Sequence, residues 1–549
     1  MHTLPRQPRF RVAVAFGLGA LLLAGFAPAS VVAASPDFPA KDSRFHSFPE
    51  MVAEIHAAEA AYPELVDVFS IGQSHQGREI WAAKISDNVA VDENEPEILF
   101  DALHHAREHM TVEQALYLLR VLTVDYATDA QVKTLVDGRE TFIVFAVNPD
   151  GFEFDLSATS GTRAPYRAWR KNRQPNAGSS YVGTDINRNY GYRWGCCGGS
   201  SGSKSANTYR GPAAWSAPET RAMRDFVASR VIDGRQQIKS HVTFHTNGEL
   251  VLWPYGYTKT NLPADMTIDD YNAIVAFAKG QAGRNGYKAE QSSDLYITDG
   301  DQIDWMYGTY RIFSYTWELF PPETATVWGD HYPADEHIAA QTARNRKALL
   351  FVIDVGACPY RWTNKAKTHC GALLDDLEVN RGWVVNPAGT DTATAGGWER
   401  GNPDAISRDR KMTQMGTTTS GAAGLVTGRK VNGAASASDV DGGTTTVRSA
   451  AIVLGVAVGD LQFRYYLAHQ LGSTSTDAFR AYVEDGTGAR TLVLEELGGP
   501  EADVAAWATA RVPMSPWAGQ TIRLVFEATD ADNDSLVEAG VDDVRIERP

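Results

Sequence analysis

Cysteine is scarce: Cys196, Cys197, Cys358 and Cys370 are the only four in 549 residues. No C-x-x-C unit accompanies them, which excludes a structural zinc site built on thiolates. Positive charge is in deficit, with 51 Lys and Arg against 67 Asp and Glu and a formal net charge of −16. An acidic surface repels phosphate backbones and anionic lipid, so no nucleic acid and no membrane surface is expected as a partner. Long apolar runs are missing beyond the first 34 residues, so no membrane span is expected downstream. There is no internal repeat of solenoid period. Charged residues at 21%, 25 Pro and 48 Gly do not mark a disordered chain.

What is present begins with a leader. Arg6, Arg9 and Arg11 precede an apolar run from Val12 to Phe26, and small residues lead through Val31-Val32-Ala33-Ala34. That layout predicts a secretory signal peptide over 1–34, cut near Ala33 or Ala34. The run is shorter than the roughly 20 residues a membrane anchor needs. Export permits disulfides. Cys358 and Cys370 are placed to close a short loop, while the adjacent Cys196 and Cys197 either pair with each other or stay as thiols.

The length exceeds one hydrophobic core, so more than one domain is expected. From 37 to 360 the chain alternates strand-like and helix-like stretches. Glu97–Ala102, Thr141–Val147 and His241–His245 read as strands, the second ended by the turn Asn148-Pro-Asp-Gly. Thr111–Tyr126, a segment opening at Ala217-Pro218, Thr267–Gly283 and His337–Val355 read as helices. This predicts an α/β domain, a mixed central sheet with helices on both faces. After a linker over 361–374, residues 375–549 show short runs such as Leu461–Leu467 and Thr521–Glu527 between Gly, Asp and Ser turns. That pattern predicts an all-β sandwich, jelly-roll-like.

The strongest local signal is Leu103-His-His-Ala-Arg-Glu-His109, where a strand gives way to a helix. His105 and Glu108 are three apart and reach one side of a turn. Imidazole and carboxylate are zinc ligands, a catalytic zinc needs a third, and His245 at a strand end is a candidate. The same segment also fits the inverted zincin pattern, His105-x-x-Glu108-His109, with two His ligands and Glu as base. Downstream lie Trp169-Arg-Lys-Asn-Arg173, Gly183-Thr-Asp-Ile-Asn-Arg-Asn189, Asp294-Leu-Tyr296 through Trp305, and Ser314-Tyr-Thr-Trp-Glu318.

Together these segments resemble the zinc metallocarboxypeptidases of the carboxypeptidase A and bacterial carboxypeptidase T type, over roughly residues 37–360. The resemblance implies one Zn2+ per chain held by His105, Glu108 and His245, which argues against the inverted zincin pattern. It implies Glu318 as catalytic base, Arg173 as oxyanion support, Arg107 in the subsites, and Asp185 as the carboxylate orienting His105. Asn187, Arg188 and Tyr296 match the residues that hold the substrate's free carboxylate. A guanidinium suits that task through paired charge-assisted hydrogen bonds. The start of the domain, Asp37-Phe-Pro and Tyr62-Pro through Trp81, looks like the mature start of carboxypeptidase T, so the family's inhibitory pro-domain is expected to be missing.

The expected activity is hydrolysis of the last peptide bond of peptide and protein C-termini by a secreted enzyme. Ile303 matches a position that is apolar in carboxypeptidase A and acidic in carboxypeptidase B. Asp301 matches an aspartate of carboxypeptidase T, which accepts apolar and basic ends. Broad specificity with an apolar preference follows. Two rivals are a cell-wall peptide amidase or deacylase on the same fold, and an inactive peptide- or glycan-binding protein. The first would alter the carboxylate clamp and the second would lack a ligand or the base. In the C-terminal domain Asp530-x-Asp532-x-Asp534, with Asp439, Asp441, Asp542 and Asp543, offers oxygen ligands for Ca2+. The loop lacks the Gly and Glu of an EF-hand. Glycan or cell-wall contact is a further expectation for this domain.

Overall fold

The apolar runs of the first domain become neighbours in one sheet. The computed structural model describes residues 36–546 apart from 93–94, 158–164, 233–234, 325, 430–438, 456–457 and 532–534. The expected leader at 1–34 lies outside the described residues. Strands β1 (Val66–Gln73), β2 (Glu79–Ile85), β3 (Glu97–Ala102) and β4 (Glu140–Val144) come first. A small ribbon, β5 (Val231–Ile232) and β6 (Arg235–Gln236), precedes β7 (Ile238–Thr246), β8 (Leu250–Trp253), β9 (Lys288–Gln291) and β10 (Phe313–Leu319). The large sheet runs β1-β2-β4-β3-β7-β10-β8-β9. Strands β4, β3, β7 and β10 are mutually parallel, and β1, β2 and β8 pair antiparallel. The expected mixed sheet is what forms.

Alternation along each strand divides the core in two. Ile98 and Phe100 join one apolar cluster, with the helices Met110–Val124, Ile268–Asn285 and Arg346–Gly356. Leu99 points to the other, against Pro218–Ser229 and Gln302–Tyr310. Both faces are covered, so the central strands are buried on both sides, and polar residues within them, such as Asp101 and His241, pair with each other.

Two expectations need correction. Asn148-Pro-Asp-Gly is the start of a helix, Pro149–Leu156, and no hairpin-like turn. The Asn148 side chain accepts the Gly151 N–H at 3.0 Å, and Pro149 takes the first helical position, where its missing N–H costs nothing. The single helix expected over His337–Val355 is two, Ile338–Arg344 and Arg346–Gly356, parted at Asn345. The Asn345 side chain donates to Gln114 Oε1 at 2.8 Å.

Beyond residue 372 two antiparallel sheets face each other. One orders Trp398–Gly401, Gly424–Thr427, Val537–Ile546, Asp460–His469 and Ala508–Pro513, and Leu373–Asp375 also pairs with Val537–Ile546. The other orders Val384–Val385, Gly443–Arg448, Thr521–Asp530, Ala478–Glu484 and Arg490–Leu497. Their inner faces share one apolar cluster, with Phe463 and Phe526 rings 5.1 Å apart. Disulfides join Cys196 to Cys197 and Cys358 to Cys370. Among the described residues no helix is long and apolar enough to cross a membrane.

Candidate active site

The site forms where parallel strands end. β3 stops at Ala102, and Leu103 takes a left-handed conformation with φ 58° that turns the chain off the sheet. The Leu103 N–H donates to Thr111 Oγ1 at 3.1 Å, and Thr111 Oγ1 donates to the Glu108 carbonyl, closing the turn that carries His104 to His109. β7 ends beside it, with His245 its penultimate residue. In the parallel register of β7 and β10, His245 pairs with Glu318. The sequence spacing of these residues is large, and strand order removes it.

His105, Glu108 and His245 converge and are buried. His105 Nδ1 lies 2.8 Å from Glu108 Oε1, His245 Nδ1 lies 2.9 Å from Glu108 Oε2, and the two Nδ1 atoms are 3.1 Å apart. Ligand atoms about 2.0–2.1 Å from a tetrahedral zinc lie roughly 3.3 Å from one another, so the cluster has nearly the spacing such an ion imposes. Burial pushes His245 down to about 4, which keeps the imidazole neutral, as a ligand must be. Burial works against ionisation of Glu108, yet His105 and His245 outweigh it and hold the carboxyl well below the usual range. Two imidazoles and a carboxylate turned towards one point fit a zinc ion.

The surroundings orient these ligands. Asp185 Oδ1 lies 3.2 Å from His105 Nε2, and its Oδ2 accepts from Arg170 Nε at 3.0 Å. Burial raises Asp185, but Arg170 and His105 reverse this and keep it ionised. Beneath, a buried set links Asp101 to His241 at 2.7 Å and to Gln302 Nε2 at 2.6 Å, while His104 meets Tyr190 Oη at 2.8 Å. His109 lies elsewhere. Its Nε2 is 3.0 Å from Asp155, and its ring sits among Phe38, Phe152, Tyr166 and Tyr332. The inverted zincin pattern, which needs His109 as a ligand and which the family resemblance argues against, does not form.

One pocket gathers His105, His245, Asn187, Arg188, Tyr296, Asp301, Ile303 and Glu318, with Leu252, Thr298 and Thr316. Burial and the neighbouring Glu108 raise the Glu318 carboxyl well above its ordinary range. Asn187 Oδ1 accepts the Gln302 N–H at 3.0 Å, and its Nδ2 lies 3.5 Å from His245 Nε2. Arg188 is buried, with Nε donating to Gly199 O at 3.1 Å and Nη1 to Asn187 O at 2.7 Å. Tyr296 stands half-exposed at the rim, its ring 5.9 Å from the Arg188 guanidinium carbon. Asp301 is buried and engaged: it caps the helix Gln302–Tyr310 through the Asp304 N–H at 2.9 Å and accepts from Thr298 Oγ1.

Arg173 is placed differently from the expectation. Its guanidinium lies over the rings of Phe154, at 3.5 Å, and Trp169, at 4.7 Å. Arg170 stands at the site instead: it donates to Asp185, and its charge reaches Glu108, Tyr296 and Glu318. The two arginines are three apart in an irregular segment with a bend at Lys171 between them. Local pattern carries no signal that separates Arg170 from Arg173. Arg107 is partly buried between Arg170, Glu108 and Tyr332. The Ca2+ expectation finds no support. Asp532 and Asp534 lie outside the described residues, and the Asp542 and Asp543 carboxylates accept hydrogen bonds from Thr419 and Ser420. Among the described residues Asp439 and Asp441 belong to no converging ligand cluster.

A His–Glu–His cluster at the end of a mixed sheet, with a carboxylate and arginines beside it, defines a metallopeptidase. The chain belongs to the zinc carboxypeptidase family, whose sequence profile matches residues 51–345. A zinc carboxypeptidase of Saccharothrix mutabilis subsp. capreolus is 46% identical over 322 residues, 59% of this chain and 72% of the relative. Carboxypeptidase A1 of Bos taurus is 30% identical over 276 residues, 50% of this chain and 62% of the relative, so under two thirds of its length is spanned. The crystal structure of thrombin activatable fibrinolysis inhibitor superposes with a TM-score of 0.50 at 23% identity, over 59% of this chain and 76% of that one, and shares the fold.

Proposed function

We propose that the protein is a secreted zinc carboxypeptidase that removes single residues from free peptide C-termini, broad in specificity with an apolar preference. The observation that carries this reading is the pairing of Glu318 with His245 across adjacent parallel strands, which sets a carboxylate beside the His105–Glu108–His245 cluster. A bound zinc supplies Lewis acidity, polarising the scissile carbonyl and lowering the pKa of a water from about 15.7 towards 7. Glu318 takes the attacking water's proton and returns it to the leaving amine. Arg170, fixed by Asp185, supports the developing oxyanion, a task worth a few kcal/mol for one preorganised donor. Asn187, Arg188 and Tyr296 hold the terminal carboxylate, which restricts cutting to chain ends.

Leu252, Ile303 and Thr316 supply the side-chain pocket with apolar surface. Asp301 is committed to Thr298 and the helix cap, so it is poorly placed to grip a basic side chain. A kcat/KM ranking with Phe and Leu above Arg is expected, and a strong preference for Arg overturns the pocket assignment. Export rests on the leader and the disulfides. Protein recovered from culture medium is expected to begin at Ala34 or Ser35.

The deciding experiment is mass spectrometry of products from a mixed peptide library, with and without a chelator. Loss of one residue from free but not amidated C-termini, abolished by the chelator and restored by zinc, is expected. Cleavage of amidated peptides, or activity unmoved by the chelator, sinks the reading.

A further inference from the structure

The adjacent pair Cys196–Cys197 has no part in the hydrolytic chemistry, yet it sits at the junction of the two segments that hold the carboxylate. Both cysteines are exposed. The loop they belong to is tied on one side to Asp299, three residues after Tyr296. Asp299 is 1% exposed, and its carboxylate is filled by this loop. Oδ2 accepts from the Cys197 N–H at 3.0 Å and the Gly199 N–H at 2.9 Å, and Oδ1 accepts from Ser200 Oγ. On the other side the Gly199 carbonyl receives Arg188 Nε at 3.1 Å. The loop also packs backbone to backbone against Thr298 and Asp299. A Cβ at Gly199 would lie 2.2 Å from the Thr298 carbonyl carbon, and Gly300 packs against the Arg188 carbonyl in a left-handed conformation that leaves no such room either.

Three consecutive links therefore run from Arg188 through Gly199 and Asp299 to the Tyr296 loop. For Asp299 to receive the N–H groups of 197 and 199 together, the backbone there must hold one conformation. A disulfide between neighbouring cysteines restricts that backbone by closing a ring through the intervening peptide.

We propose that Cys196, Cys197 and Asp299 are positioning residues for the carboxylate clamp, and that breaking the Cys196–Cys197 bond weakens the grip of Arg188 and Tyr296 on the terminal carboxylate. The proposal rests on the carboxypeptidase reading. It predicts a change confined to binding, because the hydrogen bonds of this loop lead to Arg188 and to Asp299 of the Tyr296 loop.

The test uses the full chain on the Cys358→Ser/Cys370→Ser background, so that one disulfide remains. A water-soluble phosphine breaks it: phosphorus is oxidised to the phosphine oxide, taking its oxygen from water, and the two protons end on the two sulfurs as thiols. KM and kcat for a peptide with a free C-terminus, zinc content and Tm are measured before and after. The expected result is a rise in KM of about tenfold, the scale of one loosened charge-assisted contact, with kcat changed less than about twofold. Zinc content stays unchanged. Cys196→Ser/Cys197→Ser and Asp299→Asn reproduce the split without reductant. An unchanged KM with both thiols titrated overturns the proposal, as does a fall in kcat and zinc content at constant KM. If the oxidised enzyme releases no residues at all, it is the carboxypeptidase reading that has failed.

Discussion

Arg170 and Arg173 carry the same charge three positions apart, and their surroundings separate their fates. Arg170 is locked to Asp185 beside the His105–Glu108–His245 cluster, whereas Arg173 is spread over Phe154 and Trp169. Arg170→Ala is expected to lower kcat/KM by about a hundred- to a thousandfold, the usual loss for one oxyanion donor. Arg173→Ala is expected to leave kcat/KM within about twofold and to cost stability on the order of 1 kcal/mol, as a lost cation–π contact does. Steady-state kinetics and thermal melts of the two variants decide this. Equal losses of activity would return the role to Arg173. Glu318→Gln preserves shape and removes the base. A kcat drop of about 10²–10⁴ with full zinc content is expected, read by single-turnover assay and metal analysis. Substantial residual kcat would rule out Glu318 as the base.

At the level of elements, two helices are stitched by one histidine. His46 precedes the helix Phe48–Ala61. Its Nδ1 meets Glu113 of Met110–Val124 at 2.9 Å, and its Nε2 meets Glu54 at 2.8 Å. Hydrogen bonds to Glu113 and then Glu54 raise its pKa from 6.5 to about 10. A raised histidine pKa means the folded state binds the proton more tightly, so the contribution is complete below about pH 6.5 and fades as pH rises through about 10. The Tm gap between wild type and His46→Gln is therefore expected to shrink steadily across that window. A gap that is flat with pH contradicts the assignment.

The helix Met110–Val124 and the strands β3 and β7 were legible as sequence because burial on one or both faces writes itself into apolar spacing. The candidate metal ligands were legible because His-x-x-Glu is local and a strand-end histidine is recognisable. The break at Asn345 was not, since it depends on Gln114, more than two hundred residues away. Nor was the helix after Asn148: Asn-Pro-Asp-Gly serves equally as a turn and as a cap with a first helical proline, and the packing of Phe152 and Leu156 into the core selects the helix. Arg170 was obscured for a related reason, because a loop's facing direction is set by its tertiary anchors.

Across the whole molecule, acidic groups meet where the α/β part approaches the sandwich. Burial first, and then Asp137 and Asp376, push Asp87 up to about 6. Burial, with Asp376 and Asp87, pushes Glu378 up to about 7, although it accepts the Ala422 and Ala423 N–H groups. Raised carboxyl pKa values favour the folded state below the unfolded values, and that advantage is lost as pH climbs through about 6 to 7. Glu378→Gln is accordingly expected to raise Tm at pH 8 and to change it little at pH 5. Differential scanning calorimetry at the two values checks this, and equal shifts would count against it.

The strand Val537–Ile546 is the latest in sequence among the described strands, yet it lies inside its sheet, flanked by Gly424–Thr427 and Asp460–His469 and paired besides with Leu373–Asp375. During synthesis the sandwich therefore stays open until Val537–Ile546 has emerged, while the α/β part already has all its described strands. A cut ahead of Val537 removes a keystone rather than an edge.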